Sequence, residues 1–242
     1  MYPRSAEYTK HSENLSAVRK GLTQIERAHK EAIRGGSEDQ VLVLQRLHLL
    51  TNGILAEAAL RKLIVDPTGF NDRERQLIWR SRSQIDRWLE AVELAARRHY
   101  RVLTHEPIDN GTIGATDFSR YVEIRGLLTD ELAPVIEDRN KLAHGQWVWQ
   151  LKSREENKFK EPQAPPPPNF RTLYSQSRLL LTIADVVRLF ATSEPAFDRD
   201  YDTLIKKFST AKATLDGSDY AAFVLMLRSS NKHAGKPVAR RS

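Results

Sequence analysis

The segment Val41–Ile64, VLVLQRLHLLTNGILAEAALRKLI, is the most apolar helix-forming stretch of this 242-residue chain. Its apolar residues recur at helical spacing, yet they cover much of the helix circumference instead of a single stripe. A helix that is apolar nearly all round is buried among other helices, so the sequence predicts a bundle with this segment at its centre. His48 and Asn52 lie one turn apart on it, and we interpret them as a satisfied polar pair within the core.

Helical spacing also dominates the sequence on both sides of this segment. Gly35 and Gly36 are typical of a helix end, and Asn71 with Glu74 has the spacing of a capping box that starts a later helix. Pro134 is expected to break or kink the helix that contains it. The other expected helices cover residues 15–32, 71–101, 117–144 with an irregularity at 129–134, 173–190, 193–208 and 218–228.

The pattern changes after Gly145. In WVWQLK, residues 147–152, apolar side chains alternate, and NKFKEP follows across a polar turn, which predicts a short β-hairpin. EPQAPPPP, residues 161–168, is typical of a stiff polyproline connector. The expected fold class is therefore an all-α helical bundle with a small β-hairpin insertion. We expect one domain over residues 1–230, with the hairpin and proline-rich insertion at about 146–169, and a basic disordered tail over residues 231–242.

Charge and composition narrow the functional classes. The formal net charge is +7, and 25 of the 38 basic residues are arginines. Such a chain suits a polyanion such as RNA, although a codon bias toward arginine would give the same composition. The absence of cysteine excludes disulfides, thiolate metal sites and a cysteine nucleophile. Because no apolar run reaches membrane-spanning length and the first residues lack a secretion signal, we expect a cytoplasmic protein without membrane contact.

The end of the third expected helix is strongly basic. Arg97, Arg98 and Arg101 are candidate RNA contacts there, and a solvated charged face is the alternative. The sequence contains no HExxH motif, no phosphate-binding glycine motif and no group of acids with ligand spacing, so we expect neither a metal nor another cofactor.

The stretch EDRNKLAHGQW, residues 137–147, contains the strongest candidate for chemistry. An arginine five residues before a histidine is uninformative by itself, because 25 arginines and 7 histidines give about 0.7 such pairs by chance. The position of Arg139 is informative, since on a helical wheel it lies within about 20° of Leu128 and Leu132, on the apolar stripe. A guanidinium group there requires an anion, a carbonyl group or a wet cleft.

His144 would lie about 140° around the helix axis from Arg139 if the helix continued. Gly145 can adopt the left-handed conformation of a helix end, which would free His144 from this angle and leave it at the helix C-terminus. The helix dipole there favours the imidazolium form, and a histidine that titrates near neutral pH is suited to proton transfer. Alternatively, two copies of the motif meet across a dimer, where the angle within one helix matters less.

The residues RNKLAHG resemble the signature of the HEPN superfamily, which consists of all-helical proteins and includes many ribonucleases of toxin–antitoxin and phage-defence systems. The resemblance covers about seven residues and the helical layout, and it implies that Arg139, Asn140 and His144 are the catalytic positions. It further implies a homodimer that cuts RNA without metal, and an antitoxin or other regulatory partner. Glu137 and Asp138 could position Arg139, with solvent exposure as their alternative fate.

Three functional hypotheses follow from these observations. In the first, the RNA 2′-hydroxyl attacks the adjacent phosphorus, His144 moves a proton, and Arg139 stabilises the charge on the phosphate. In the second, the chain is a non-catalytic module that binds RNA or a protein. In the third, the chain is a helical scaffold that docks partners through the proline-rich segment. Trp147 and Trp149 could stack on bases, or they could pack the hairpin onto the bundle.

Overall fold

The central apolar segment forms helix α2 (Glu38–Ile64), which lies among other helices as its sequence predicts. The computed structural model describes residues 5–152, 155–216 and 219–231. Helices α1 (Ala6–Gly35), α7 (Ala133–Ala143) and α8 (Phe170–Thr192) pack against α2. The remaining elements are α3 (Asp72–Arg80), α4 (Gln84–His99), the short α5 (Asn110–Ile113), α6 (Ala115–Gly126), a π-helical segment (Leu127–Leu132), β1 (Leu151–Lys152), β2 (Glu155–Phe159), α9 (Glu194–Asp216) and α10 (Tyr220–Asn231).

The all-α fold class with a small hairpin is confirmed. The only sheet among the described residues has two antiparallel strands, in which Leu151 pairs with Phe159. The first strand is shorter than the alternation predicts, because residues 147–150 lie outside it. The proline-rich residues 162–168 form no helix or strand. The basic tail predicted for residues 231–242 lies, apart from Asn231, outside the described residues.

The third expected helix is in fact two helices, so the prediction of one helix over residues 71–101 was wrong. The capping box of Asn71 and Glu74 starts α3 as predicted. A second capping box then starts α4, in which the Ser83 hydroxyl accepts from the Asp86 N–H at 3.1 Å and the Asp86 carboxylate accepts from the Ser83 N–H at 3.1 Å. These bonds satisfy backbone groups at a helix start, so the chain breaks after α3 although the apolar pattern continues.

Helices α6 and α7 form one rod that is interrupted by the π-helical segment. The irregularity expected at residues 129–134 therefore exists, and it occupies Leu127–Leu132. Pro134 has no N–H group to donate to the carbonyl of Asp130, and its ring crowds that carbonyl. The helix accommodates the proline by widening to π geometry just before it.

The core is built mainly from α2, α4, α8 and the rod of α6 and α7, with fewer residues from α1 and α9. Trp88 of α4 and Phe197 of α9 are the largest of the fully buried side chains. A smaller cluster of Ile33, Phe170 and Leu227 joins α1, α8 and α10. None of the helices in the described part of the chain is long and apolar enough to cross a bilayer.

Candidate active site

Helix α7 ends in the conformation that Gly145 was expected to provide. Gly145 has φ +76°, in the left-handed region. The Gln146 N–H donates to the Lys141 carbonyl at 2.9 Å, and the Gly145 N–H donates to the Leu142 carbonyl at 3.1 Å. These two bonds form a Schellman motif, which satisfies carbonyl groups of the last helical turn. His144 is the capping residue, with φ −91° and ψ 17°, and its side chain is exposed.

Arg139 faces helix α2 and packs directly on its backbone at Gly53. A β-carbon at Gly53 would overlap the β- and γ-carbons of Arg139. The missing side chain at Gly53 therefore allows the aliphatic part of Arg139 to lie against α2. Only 23% of the Arg139 side chain is exposed, which agrees with its expected place on the inward face of the helix.

The anion that Arg139 requires is Glu57, one turn after Gly53 on α2. The Arg139 Nη2 group donates to Glu57 Oε2, while Arg61 donates to Glu57 Oε1 through Nε at 3.0 Å and Nη2 at 2.8 Å. On its other side, Arg139 Nη1 donates to Asn140 Oδ1 at 2.9 Å. The guanidinium group of Arg139 is thus held between a carboxylate and the amide of the neighbouring motif residue.

The charges around Glu57 keep its carboxyl group ionised. Partial burial raises the pKa of Glu57, but the hydrogen bond from Arg61 and the positive charges of Arg139 and Arg61 outweigh burial and lower the pKa below its ordinary value. One carboxylate therefore faces two guanidinium groups. The sequence contained a signal for this partner, because an acid on a nearly all-apolar helix requires a cation.

Of the two fates expected for Glu137 and Asp138, the structure has the exposed one, since none of the described hydrogen bonds or ion pairs joins them to Arg139. Both contact Lys141, whose Nζ lies 2.9 Å from Glu137 Oε1 and 3.3 Å from Asp138 Oδ1. Glu137 and Asp138 lie four and three residues before Lys141, which places them beside it on the helix surface. They lie only two and one residues before Arg139, so their side chains point away from that residue. The Lys141 hydrogen bond lowers the pKa of Glu137.

Arg139 and His144 do not meet within one chain. No hydrogen bond, ion pair or ring contact joins them in the described residues. Arg139 points to α2, and His144 lies on the surface at the end of α7. The structure therefore brings Arg139, Asn140 and Glu57 together, whereas His144 lies apart from them at the exposed end of α7.

The basic end of α4 has structural partners. Arg97 binds Glu93 and donates to the carbonyls of Leu103 at 2.7 Å and Glu106 at 2.9 Å. Arg98 donates to the carbonyls of Gly69 and Ala191 and pairs with Glu74. Arg101 is exposed and has a positive φ of 57°. Of the three predicted RNA contacts, Arg97 and Arg98 thus tie the end of α4 to neighbouring segments, and Arg101 faces the solvent.

A small cavity adjoins the end of α7. It has a volume of about 170 Å³, and it lies between α2, the last turn of α7 and the proline-rich segment. Arg46 of α2 borders it and donates through Nη2 to the Trp147 carbonyl at 2.9 Å. The connector thus packs beside the motif helix, which a pattern of prolines alone does not predict.

His48 and Asn52 are not the satisfied polar pair that the sequence predicts. Only the amide nitrogen of Asn52 has a hydrogen-bond partner in the described residues. The Asn52 amide donates to the Leu173 carbonyl at 2.9 Å. His48 packs instead against His29 of α1 and Phe170, and neither ring nitrogen of either histidine has a hydrogen-bond partner in the described residues. Both histidine side chains are fully buried.

Within the described ranges, no group of three or more His, Asp or Glu side chains is placed to hold a metal ion. Comparisons of the chain with protein-family models, with curated proteins and with solved structures gave no match. The residues around the end of α7 are therefore the candidate site.

Proposed function

We propose that the chain is a HEPN-like, metal-independent endoribonuclease that acts as a homodimer in the cytoplasm, as a toxin or phage-defence effector controlled by an antitoxin or other partner. The observation that carries this proposal is the charge balance at Arg139. Arg139 and Arg61 share the single carboxylate of Glu57, so the cluster retains one net positive charge, and within it Arg139 and Glu57 are partly buried while Arg61 is more exposed. A guanidinium group held in this way suits the charge that develops on a phosphate during transfer.

In the proposed reaction, the RNA 2′-hydroxyl loses its proton and attacks the adjacent phosphorus. The bond from phosphorus to the 5′-oxygen breaks, and that oxygen takes up a proton. The products are a 2′,3′-cyclic phosphate and a free 5′-hydroxyl group. Arg139 stabilises the negative charge on the phosphate oxygens, and His144, which is exposed to the solvent, accepts or delivers the proton. Asn140 orients the guanidinium group through its Oδ1 atom and can donate to a phosphate oxygen through its amide.

Two copies of the chain fit this scheme better than one. A single histidine serves poorly as both base and acid, and Arg139 does not contact His144 in one chain. A dimer that brings two α7 ends together supplies a second histidine and places it near the phosphate bound by the other copy. The proposal therefore expects cleavage to depend on dimer formation.

The test is RNA cleavage in EDTA by the wild-type chain and by the variants Arg139→Ala and His144→Ala. We expect both variants to lose cleavage at least a hundredfold, since each removes a group that acts in the transition state. His105→Ala is the matched control, because His105 is also exposed and lies outside the motif. Circular dichroism checks that each variant is folded, and sedimentation gives its oligomeric state.

Three outcomes would contradict the proposal. Cleavage by His144→Ala at the wild-type rate would remove the histidine from the reaction. RNA binding without product in the wild-type chain would favour the non-catalytic module. If the wild-type chain neither binds nor cuts RNA, only the scaffold hypothesis would remain of the three.

A further inference from the structure

An exposed aromatic surface follows directly after the proposed catalytic histidine. We define the hairpin face as Trp147, Val148, Trp149 and Phe159. Their exposed fractions are 36%, 46%, 36% and 55%. Large apolar side chains that are grouped and exposed usually mark a binding surface. Trp147 also packs on the bundle, as one of the two interpretations expects, but no ring contact, hydrogen bond or ion pair among the described residues joins Trp149 or Phe159 to a helix.

The orientation of Trp147 is fixed by contacts with the motif helix and with α2. Its indole Nε1 donates to the Leu142 carbonyl at 3.0 Å, in the last turn of α7. Arg46 binds the Trp147 carbonyl, and its guanidinium carbon lies 5.5 Å from the centre of the indole ring. The ring is therefore held in a defined position, three residues beyond His144.

The second half of the hairpin face is a pair of rings from both sides of the hairpin. The centres of the Trp149 and Phe159 rings lie 6.5 Å apart, at an angle of 62°. The strand pairing of Leu151 with Phe159 holds the two rings on the same hairpin. The aromatic groups thus form part of an ordered surface that begins at the end of α7.

Several basic residues accompany the hairpin face. Lys152 and Lys160 are exposed and lie next in sequence to the paired residues Leu151 and Phe159, the exposed Glu161 follows Lys160, and Arg46 lies against Trp147. The charge of Lys160 also helps to lower the pKa of Glu137 on the motif helix, after the larger effects of Lys141. Aromatic rings bordered by cations suit single-stranded nucleic acid, because bases stack on the rings while phosphates contact the cations.

We propose that the hairpin face binds unpaired bases of the RNA strand next to the phosphate that is cut. This inference rests on the proposed function, and it makes the substrate class single-stranded RNA. Trp149 and Phe159 hold one base, and Trp147 holds a base closer to His144. These three residues determine where the strand lies, and they take no part in proton transfer.

The experiment measures RNA binding separately from cleavage. His144→Ala is used as the parent, and a fluorescein-labelled 12-nucleotide single-stranded RNA is titrated by fluorescence anisotropy. The double variant Trp149→Ala/Phe159→Ala is expected to bind at least tenfold more weakly, since each base–aromatic stack is worth about five- to 150-fold in affinity. Trp147→Phe retains an aromatic ring without the indole N–H, so it separates stacking from the bond to Leu142, and we expect it to bind within threefold of the parent.

The matched control is Leu225→Ala on α10, because Leu225 is 68% exposed and lies on an element distant in sequence from the motif. We expect this variant to bind RNA within twofold of the parent. A duplex of the same sequence should bind the parent more weakly than the single strand, because its bases are already stacked. Duplex binding as tight as that of the single strand would overturn the inference.

Two further results would also overturn it. The first is unchanged RNA affinity in the Trp149→Ala/Phe159→Ala variant. The second is a change from dimer to monomer in that variant with unchanged affinity per chain, which would make the hairpin face a contact between copies. If the wild-type chain binds RNA through these residues but yields no product, the proposed function fails while this inference stands. If the wild-type chain cuts RNA but the aromatic variants bind RNA as tightly as the parent does, this inference fails while the proposed function stands.

Discussion

Acidification should destabilise this protein because of two histidines in its core. His29 of α1 and His48 of α2 are fully buried, with ring centres 5.9 Å apart. Burial lowers the pKa of His29 to about 4. Burial, with a smaller effect from His29, lowers the pKa of His48 to about 3. No hydrogen bond or ion pair joins either ring to another described residue, so nothing compensates a charge there.

The sign and size of the effect follow from proton linkage. In the unfolded chain both histidines take up protons below about pH 6.5, whereas the folded chain excludes these protons down to about pH 4. The contribution of the two neutral histidines to stability is therefore complete well above pH 6.5 and is lost as the pH falls toward 4. Each histidine contributes at most about 1.4 kcal/mol per pH unit, so the pair removes about 3 kcal/mol between pH 6.5 and pH 5 and about 4 kcal/mol between pH 7.5 and pH 5. This is a large part of the roughly 5–15 kcal/mol that stabilises an ordinary domain.

The assay is urea unfolding followed by circular dichroism at pH 7.5 and pH 5.0. We expect the free energy of unfolding to fall by about 4 kcal/mol in the wild-type chain and by about 2 kcal/mol in His48→Leu, since one titrating group is then absent. His105→Leu, which changes an exposed histidine, should behave as the wild type does. A wild-type loss below about 1 kcal/mol, or an unchanged loss in His48→Leu, would refute the account of the buried pair.

Three further predictions concern the packing of two helices at Gly53, the ion pair of Glu57 and the capping box at Ser83. Gly53→Ala should lower the unfolding free energy by about 1–3 kcal/mol, because the new β-carbon would overlap the side chain of Arg139. In the control Gly21→Ala the new β-carbon meets no other atom, so the unfolding free energy should rise by up to about 1 kcal/mol. Glu57→Gln should cost about 1 kcal/mol and should lose the salt dependence of this partly exposed ion pair, which urea unfolding at low and high salt measures. Ser83→Ala should cost about 1 kcal/mol in thermal unfolding through loss of the capping box, and an unchanged midpoint would contradict that role.

The sequence predicted those features that depend on neighbouring residues. The all-round apolar pattern of α2 indicated its central position, and Gly145 indicated the left-handed end of α7. Pro134 indicated the irregularity before it, although not its π-helical form. These features were accessible because helix periods, proline and glycine act through local geometry.

The sequence did not predict the contacts that join distant segments. Glu57 and Arg139 are 82 residues apart, and their pairing depends on the close approach of α2 and α7 at Gly53. A helical wheel shows that Arg139 needs a partner, but it cannot choose among the acids of other helices. The break before Ser83 was missed for a different reason, since the apolar pattern continued through it and concealed the capping box.

The central claim is that the end of α7 cuts RNA by attack of the 2′-hydroxyl. The most direct measurement is mass spectrometry of the products from a defined single-stranded RNA incubated in EDTA with the wild-type chain or with His144→Ala. The account predicts fragments with 2′,3′-cyclic phosphate and 5′-hydroxyl ends from the wild-type chain and intact RNA from the variant. The same fragments from both chains, or intact RNA from the folded wild-type dimer, would contradict it.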